Sequence, residues 1–142
     1  MTIAAHPHNT RSVITDHHRW PLEIREVPGK GRGVFASRSI PAGTLIEEAP
    51  VVVLSSTEVA HIRQTRLDHY IFHWDSDVPG TVPPVCAIVL GYASLLNHAS
   101  VANTEFIPLR DASLLQLRAL RQIAAGEELT IDYDIPLWFS PA

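Results

Sequence analysis

A chain of 142 residues, 46% of them apolar and 18% charged, has the size of one domain and enough apolar side chains for a contiguous core, which excludes a protein disordered over most of its length. Its formal charge of −4, with Lys30 the single lysine, removes the usual electrostatic basis of phosphate-backbone binding, so direct nucleic-acid binding is not expected, and a basic peptide partner is compatible with the sign. Cys86 stands alone, which excludes an intramolecular disulfide and a cysteine zinc cluster; no apolar run is long enough for a membrane span and the N-terminus has no signal-peptide core, so a cytoplasmic protein is expected.

Residues 1–19, MTIAAHPHNTRSVITDHHR, carry no lasting apolar period and read as a flexible tail; His6, His8, His17 and His18 are too irregularly spaced to make a metal site. The folded domain is expected over residues 20–142. In PLEIREV, Leu22, Ile24 and Val27 roughly alternate with charged residues, as a half-buried strand requires, and GKGRGVFAS reads as a glycine turn entering a second strand. IPAGTLIEEAPVVVLS predicts a turn at residues 41–43 and two strands, TLIEE and VVVL, broken by Pro50. Ser56 or Thr57 can cap a short helix through Thr65. LDHYIFHW fits a strand or a helical turn, and DSDVPGTVPP, with three prolines and a glycine, is a loop. Cys86, in CAIVLGY, reads as a buried small hydrophobe. SLLQLRALRQIAAGEEL fits a helix by propensity and by the spacing of Leu114, Leu117 and Leu120. There is no internal repeat, and the recurrence of short strands between turns predicts a mainly β domain with short helices.

Three stretches can carry chemistry. GKGRG sets glycines at alternate positions, which permits positive φ and lets backbone N–H groups approach a ligand, although a plain turn fits equally and the spacing is not that of a P-loop. In LLNHASVAN, Asn97, His98 and Asn103 stand among small residues; satisfied core polar groups at a helix end are the plainer reading. GEELTIDYD alternates Leu129, Ile131 and Tyr133 on one strand face against Thr130 and Asp132 on the other, which turns Tyr133 inward. Glu47 and Glu48, like Glu127 and Glu128, point to opposite strand faces and so read as solvated surface rather than an acid/base pair. No G-x-S-x-G or H-E-x-x-H occurs.

Taken in order, GKGRGVFAS, LLNHASVAN and GEELTIDYD resemble the motifs of the SET-domain protein lysine methyltransferases, and IPAGTLIEE resembles the strand that follows the first motif. The likeness runs over residues 22–139 and is greatest to the compact bacterial and viral type. Ala99 and Ala102 stand where the family's Asn-His-Ser-x-x-Pro-Asn pattern has Ser and Pro.

The resemblance implies a mainly β SET fold of several small sheets with a C-terminal pseudoknot, and a strand through Leu120, a turn at Ala125-Gly126 and a strand from Glu128 in place of the helix. It implies S-adenosylmethionine as cofactor, with S-adenosylhomocysteine as product. Lys30, Gly31, Arg32 and Gly33 would lie along its methionine part, Asn97 and His98 would hold it, and Trp138 would cover its adenine. Tyr133 would be the catalytic tyrosine, and Tyr70, Phe72 and Tyr92 are candidates for the walls of a lysine channel. The implied partner is a basic, lysine-containing protein or peptide; small relatives imply a possible homodimer. The alternative reading is an inactive SET-like module that binds a peptide or partner protein.

Overall fold

The computed structural model describes residues 20–74 and 85–132; the tail assigned to residues 1–19 and the DSDVPGTVPP loop lie outside them. Among the described residues nine strands form two sheets. Strands β1 (Leu22–Val27), β2 (Gly31–Ala36), β9 (Glu128–Ile131) and β6 (Asn97–His98) make one, in the order β1-β2-β9-β6. The other, in the order β4-β5-β3-β8-β7, contains β3 (Leu45–Leu54), β4 (Ile71–His73), β5 (Cys86–Val89), β7 (Thr104–Leu109) and β8 (Leu114–Ala119).

The main core lies between the sheets because each turns its alternate apolar residues inward. Val34, Ala36, Leu129 and Ile131 come from the first sheet and Ile46, Leu117 and Ala119 from the second, and all are fully or almost fully buried. Each large aliphatic side chain so placed contributes roughly 1.5–3 kcal/mol. Cys86 is also buried, in a smaller cluster with Leu54 and Val59. Ile24 departs from expectation: β1 is an edge strand, and this side chain faces solvent while Leu22 and Val27 are half-buried.

Residues 114–119 form a strand, not the helix that propensity favours. The buried set is Leu115, Leu117 and Ala119, a period of two, whereas Leu120 of the helical set is exposed. The β7–β8 hairpin turns through Ser113 in the left-handed region (φ 52°). Gly126 supplies positive φ (81°) at the following turn, ahead of β9.

Pro50 does not break the strand in two. β3 pairs with β8 up to Pro50 and with β5 from Val51 onward, so the residue without an N–H sits where the strand changes partners. The Pro50 carbonyl still accepts from Leu90 N at 2.9 Å. Helix α1 (Ser56–Ile62) is capped by Ser55, one residue before the earlier of the expected caps, in a reciprocal pair with Glu58, and it ends before Thr65. LDHYIFHW holds both of its alternatives, a 3₁₀ turn at Arg66–Tyr70 and then β4.

Two similar turns, Ile-Pro-Ala-Gly at residues 40–43 and Ile-Ala-Ala-Gly at 123–126, meet at an antiparallel bridge between their isoleucines, a four-residue echo too short to be a structural repeat. Buried Ile40 and Ile123 exchange backbone hydrogen bonds of 2.8 and 2.9 Å, tying the entry to β3 to the entry to β9. No helix among the described residues is long and apolar enough to cross a membrane.

Candidate active site

The β1–β2 turn, Pro28-Gly29-Lys30, needs Gly29 and Gly31 at φ 77° and 80°, conformations that other residues adopt at a cost. Gly31 and Arg32 are exposed, and a Cβ at Gly31 would meet nothing within 4 Å, so this backbone borders open space. Gly33 is buried for a different reason. A Cβ there would lie 2.6 Å from Glu128 Oε1, 2.8 Å from Val27 Cγ2 and 3.1 Å from Asn97 Nδ2, so three other residues fill its place.

Asn97 arrives from the other end of the sheet. A 3₁₀ turn at Tyr92–Leu95 leads into β6, which runs parallel to β9 with Asn97 opposite Thr130 and His98 opposite Ile131. Asn97 Nδ2 donates to Arg32 O at 3.2 Å and to Glu128 Oε1 at 2.7 Å, joining segments 65 positions apart in the chain. Ala99 N extends the pairing by donating to Ile131 O at 2.9 Å. The His98 ring, nearly buried, has Nδ1 3.9 Å from Asp132 Oδ1. GKGRG, the Asn-His pair and the start of the last motif therefore meet at one end of one sheet, and β6 beside β9 is the adjacency that the expected pseudoknot requires.

Asn103 is a clamp on β9. Its buried side chain donates to Glu128 O at 2.7 Å and accepts from Thr130 N at 2.8 Å, as a neighbouring strand would. Ala102 precedes it where proline stands in the family pattern, and these bonds supply the restraint that a fixed φ would otherwise give.

The four paired glutamates are not a solvated surface. Glu47 is buried and accepts from Tyr92 N and Ala93 N, both at 2.9 Å, and Glu48 accepts from Gln116 at 2.7 Å. Glu127 accepts from Arg121 and from Ala124 N; the arginine first and that N–H second hold its carboxyl down at about 2, against an ordinary 4.5. Each pair does split between faces, and that opposition was the available signal: one member must turn toward the protein. Glu128 and Glu47 are the site residues that sequence reasoning missed.

Among the candidate channel residues, Phe72 packs edge-on against Phe106 with centroids 4.9 Å apart and lines a cavity of about 590 Å³. Trp74, Val101, Leu120, Ile131 and Asp132 share that lining, with Glu105 at its acidic side; Tyr70 and Tyr92 do not line it. Tyr70 ends the 3₁₀ turn before β4, and Tyr92 packs against the main core. Lys30 is half-buried in the β1–β2 turn. Asp132 belongs to both regions, next to His98 and on the cavity wall. Tyr133, which follows it in the chain, and Trp138 lie outside the described residues.

Residues 31–134 match the SET domain family. The chain is 38% identical over 122 residues to the H3 lysine-37-specific histone-lysine N-methyltransferase of Schizosaccharomyces pombe, covering 85% of this chain and 78% of that protein. It is 32% identical over 123 residues to the H3 lysine-4-specific histone-lysine N-methyltransferase of Cryptococcus neoformans, covering 80% of this chain and 8% of that much longer protein. In structure it is similar to the Neurospora SET-domain protein DIM-5, a histone lysine methyltransferase, with a TM-score of 0.65, 21% identity, and coverage of 90% of this chain and 57% of that one. A matched SET domain on a two-sheet fold, with these relatives, makes the chain a member of the SET-domain family of protein lysine methyltransferases.

Proposed function

We propose that this protein transfers a methyl group from S-adenosylmethionine to a lysine side chain of a basic, histone-like protein, with the donor beside Gly31, Arg32, Asn97 and His98 and the lysine in the Phe72 cavity. The observation that carries the proposal is the Arg32–Asn97–Glu128 junction, which gathers residues from three distant motifs at the open backbone of Gly31. The histone character of the substrate is suggested by the name of the Schizosaccharomyces pombe relative.

The residues present fit the donor. With its NH₂ group held by Arg32 O and Glu128 Oε1, Asn97 keeps its amide oxygen as an acceptor, suited to a ligand that bears positive charge, and the glycine turn lets the chain come close to it. S-adenosylmethionine, when bound, supplies a methyl group activated by its sulfonium.

What the chain must do is present a neutral amine in line. A free lysine has a pKa of about 10.4 and is mostly protonated at neutral pH. Phe72, Trp74, Phe106 and Ile131 give the cavity an apolar wall, and an amine desolvated against it is disfavoured in its ammonium form. β4 is an edge strand among the described residues, and its free edge beside the cavity suits an extended peptide added as a further strand. Glu105 and Asp132 at the cavity complement a basic peptide. Tyr133 is assigned the phenolic oxygen beside the reacting carbon and Trp138 the adenine face, and alignment contributes most of the acceleration.

The test incubates the protein with lysine-bearing histone-tail peptides and isotopically labelled S-adenosylmethionine. Methyl-lysine is expected; Asn97→Ala weakens donor binding by calorimetry, and Tyr133→Phe lowers turnover more than donor affinity. A well-folded wild type that binds no donor refutes the proposal. Donor-independent peptide binding without methyl transfer supports the inactive-module alternative instead.

A further inference from the structure

We infer that Glu128 is a positioning residue of the donor site: its carboxylate fixes the Asn97 amide so that the oxygen, and not the nitrogen, is presented to the ammonium end of the donor. The inference rests on the proposed function and adds to it a residue that touches the donor only through another.

Asn97 Nδ2 has two partners, Glu128 Oε1 at 2.7 Å and the carbonyl oxygen of Arg32 at 3.2 Å. An ionised carboxylate and a carbonyl have no proton to give, so a flipped amide would set oxygen against two oxygens. Both protons of the NH₂ group are thereby committed, which leaves Oδ1 for a ligand. An amide oxygen can only accept. In the methionine part of the donor the carboxylate also only accepts, and the α-ammonium is the group that donates.

The local packing supports such a role. Gly33 leaves the space that the Glu128 carboxylate and the Asn97 amide occupy together, since a Cβ there would lie 2.6 Å from the first and 3.1 Å from the second. Asn103 fixes the backbone that follows this carboxylate through Glu128 O and Thr130 N. Glu128 therefore faces Asn97 from a strand held at two points.

The experiment measures the binding of S-adenosylhomocysteine by calorimetry to wild type, Glu128→Ala, Glu128→Gln, Asn97→Ala and the Asn97→Ala/Glu128→Ala double variant, with melting temperature as a check on folding. The product retains the ammonium but has a neutral sulfur, so its affinity reports the ammonium end without the sulfonium charge. Glu128→Ala is expected to lose about tenfold in affinity, the scale of one hydrogen bond to a charged group. Glu128→Gln, whose oxygen can still face Nδ2, stays within about threefold, and Glu128→Ala costs nothing further once Asn97 is alanine.

Unchanged affinity in Glu128→Ala overturns the inference, as does an equal loss in Glu128→Gln or a full added loss in the double variant. If the variants do not fold, a wild-type crystal structure with the product decides: Oδ1 toward the ammonium supports the inference and Nδ2 toward the ligand overturns it. Failure of wild type to bind the product refutes the proposed function itself, whereas wild-type binding that ignores Glu128 removes only this role.

Discussion

Glu127 joins three parts of the molecule with one carboxylate, accepting from the Arg121 guanidinium, from Ala124 N at the turn before β9, and from Asn103 Nδ2 at 3.4 Å. These bonds favour the ionised form, which is why its pKa lies near 2 and below the ordinary 4.5. Between those values the unfolded chain takes up the proton first, so the stabilisation is complete above about pH 4.5 and drains away as the pH falls toward 2. Glu127→Gln is accordingly expected to lower the urea midpoint at pH 7, with the gap from wild type narrowing steadily between pH 5 and pH 3. A gap that stays constant over that range would show that the charge is not what stabilises. Glu128, one residue on, lies on the other strand face and is reserved for Asn97, so two neighbouring acids divide structure from site.

Among the elements, the 3₁₀ turn at Tyr92–Leu95 depends on a side chain from another strand. Glu47 of β3 takes the first N–H groups of that turn, and Gly91 leaves the space for its carboxylate: a Cβ on Gly91 would collide with Glu47 and lie 2.9 Å from Ala49 Cβ. Gly91→Ala should therefore destabilise the fold by about 1–3 kcal/mol, as overpacking at a buried contact does, and a denaturant midpoint equal to wild type would contradict this. Elements of this kind mark where the sequence was legible. The hairpin at GKGRG and the turn at Pro-Ala-Gly follow from glycine and proline chemistry and need no partner to be read. The strand at 114–119 followed from the family resemblance but not from residue spacing, because its leucines also satisfy a helical period and only the facing sheet selects the alternate set. The unbroken run through Pro50 was hidden because whether a missing N–H matters depends on which strand lies beside it. At the site, amide, imidazole and glycines were legible as a family pattern, while the glutamates that hold them were not. Their partners stand at 31 positions' distance for Glu128 and 45 or 46 for Glu47, beyond any local period.

At the scale of the whole molecule, a net charge of −4 meets a cavity with Glu105 and Asp132 on its wall. On the proposed function, a basic substrate would be drawn by forces that salt screens over about 10 Å at 0.1 M. The KM for a basic peptide should rise severalfold as salt is raised, while donor affinity, set by short hydrogen bonds at a half-buried junction, changes little; a salt-insensitive KM would argue against an electrostatic contribution to substrate capture. The parallel pairing of β6 with β9 has another consequence, for the order of events as the chain is made. β6 is complete at His98, yet its neighbour begins only at Glu128, and the entire β7–β8 hairpin lies between them in the chain. A ribosome-bound chain that has emerged only as far as the turn at Gly126 has the residues of β1 to β8 but lacks β9, the strand that lies between β2 and β6. On the proposed function, the site is complete only when β9 has joined β2 and β6, so that a methyl donor, by binding only the finished state, would act as a latch on the last strand rather than as a template for the first.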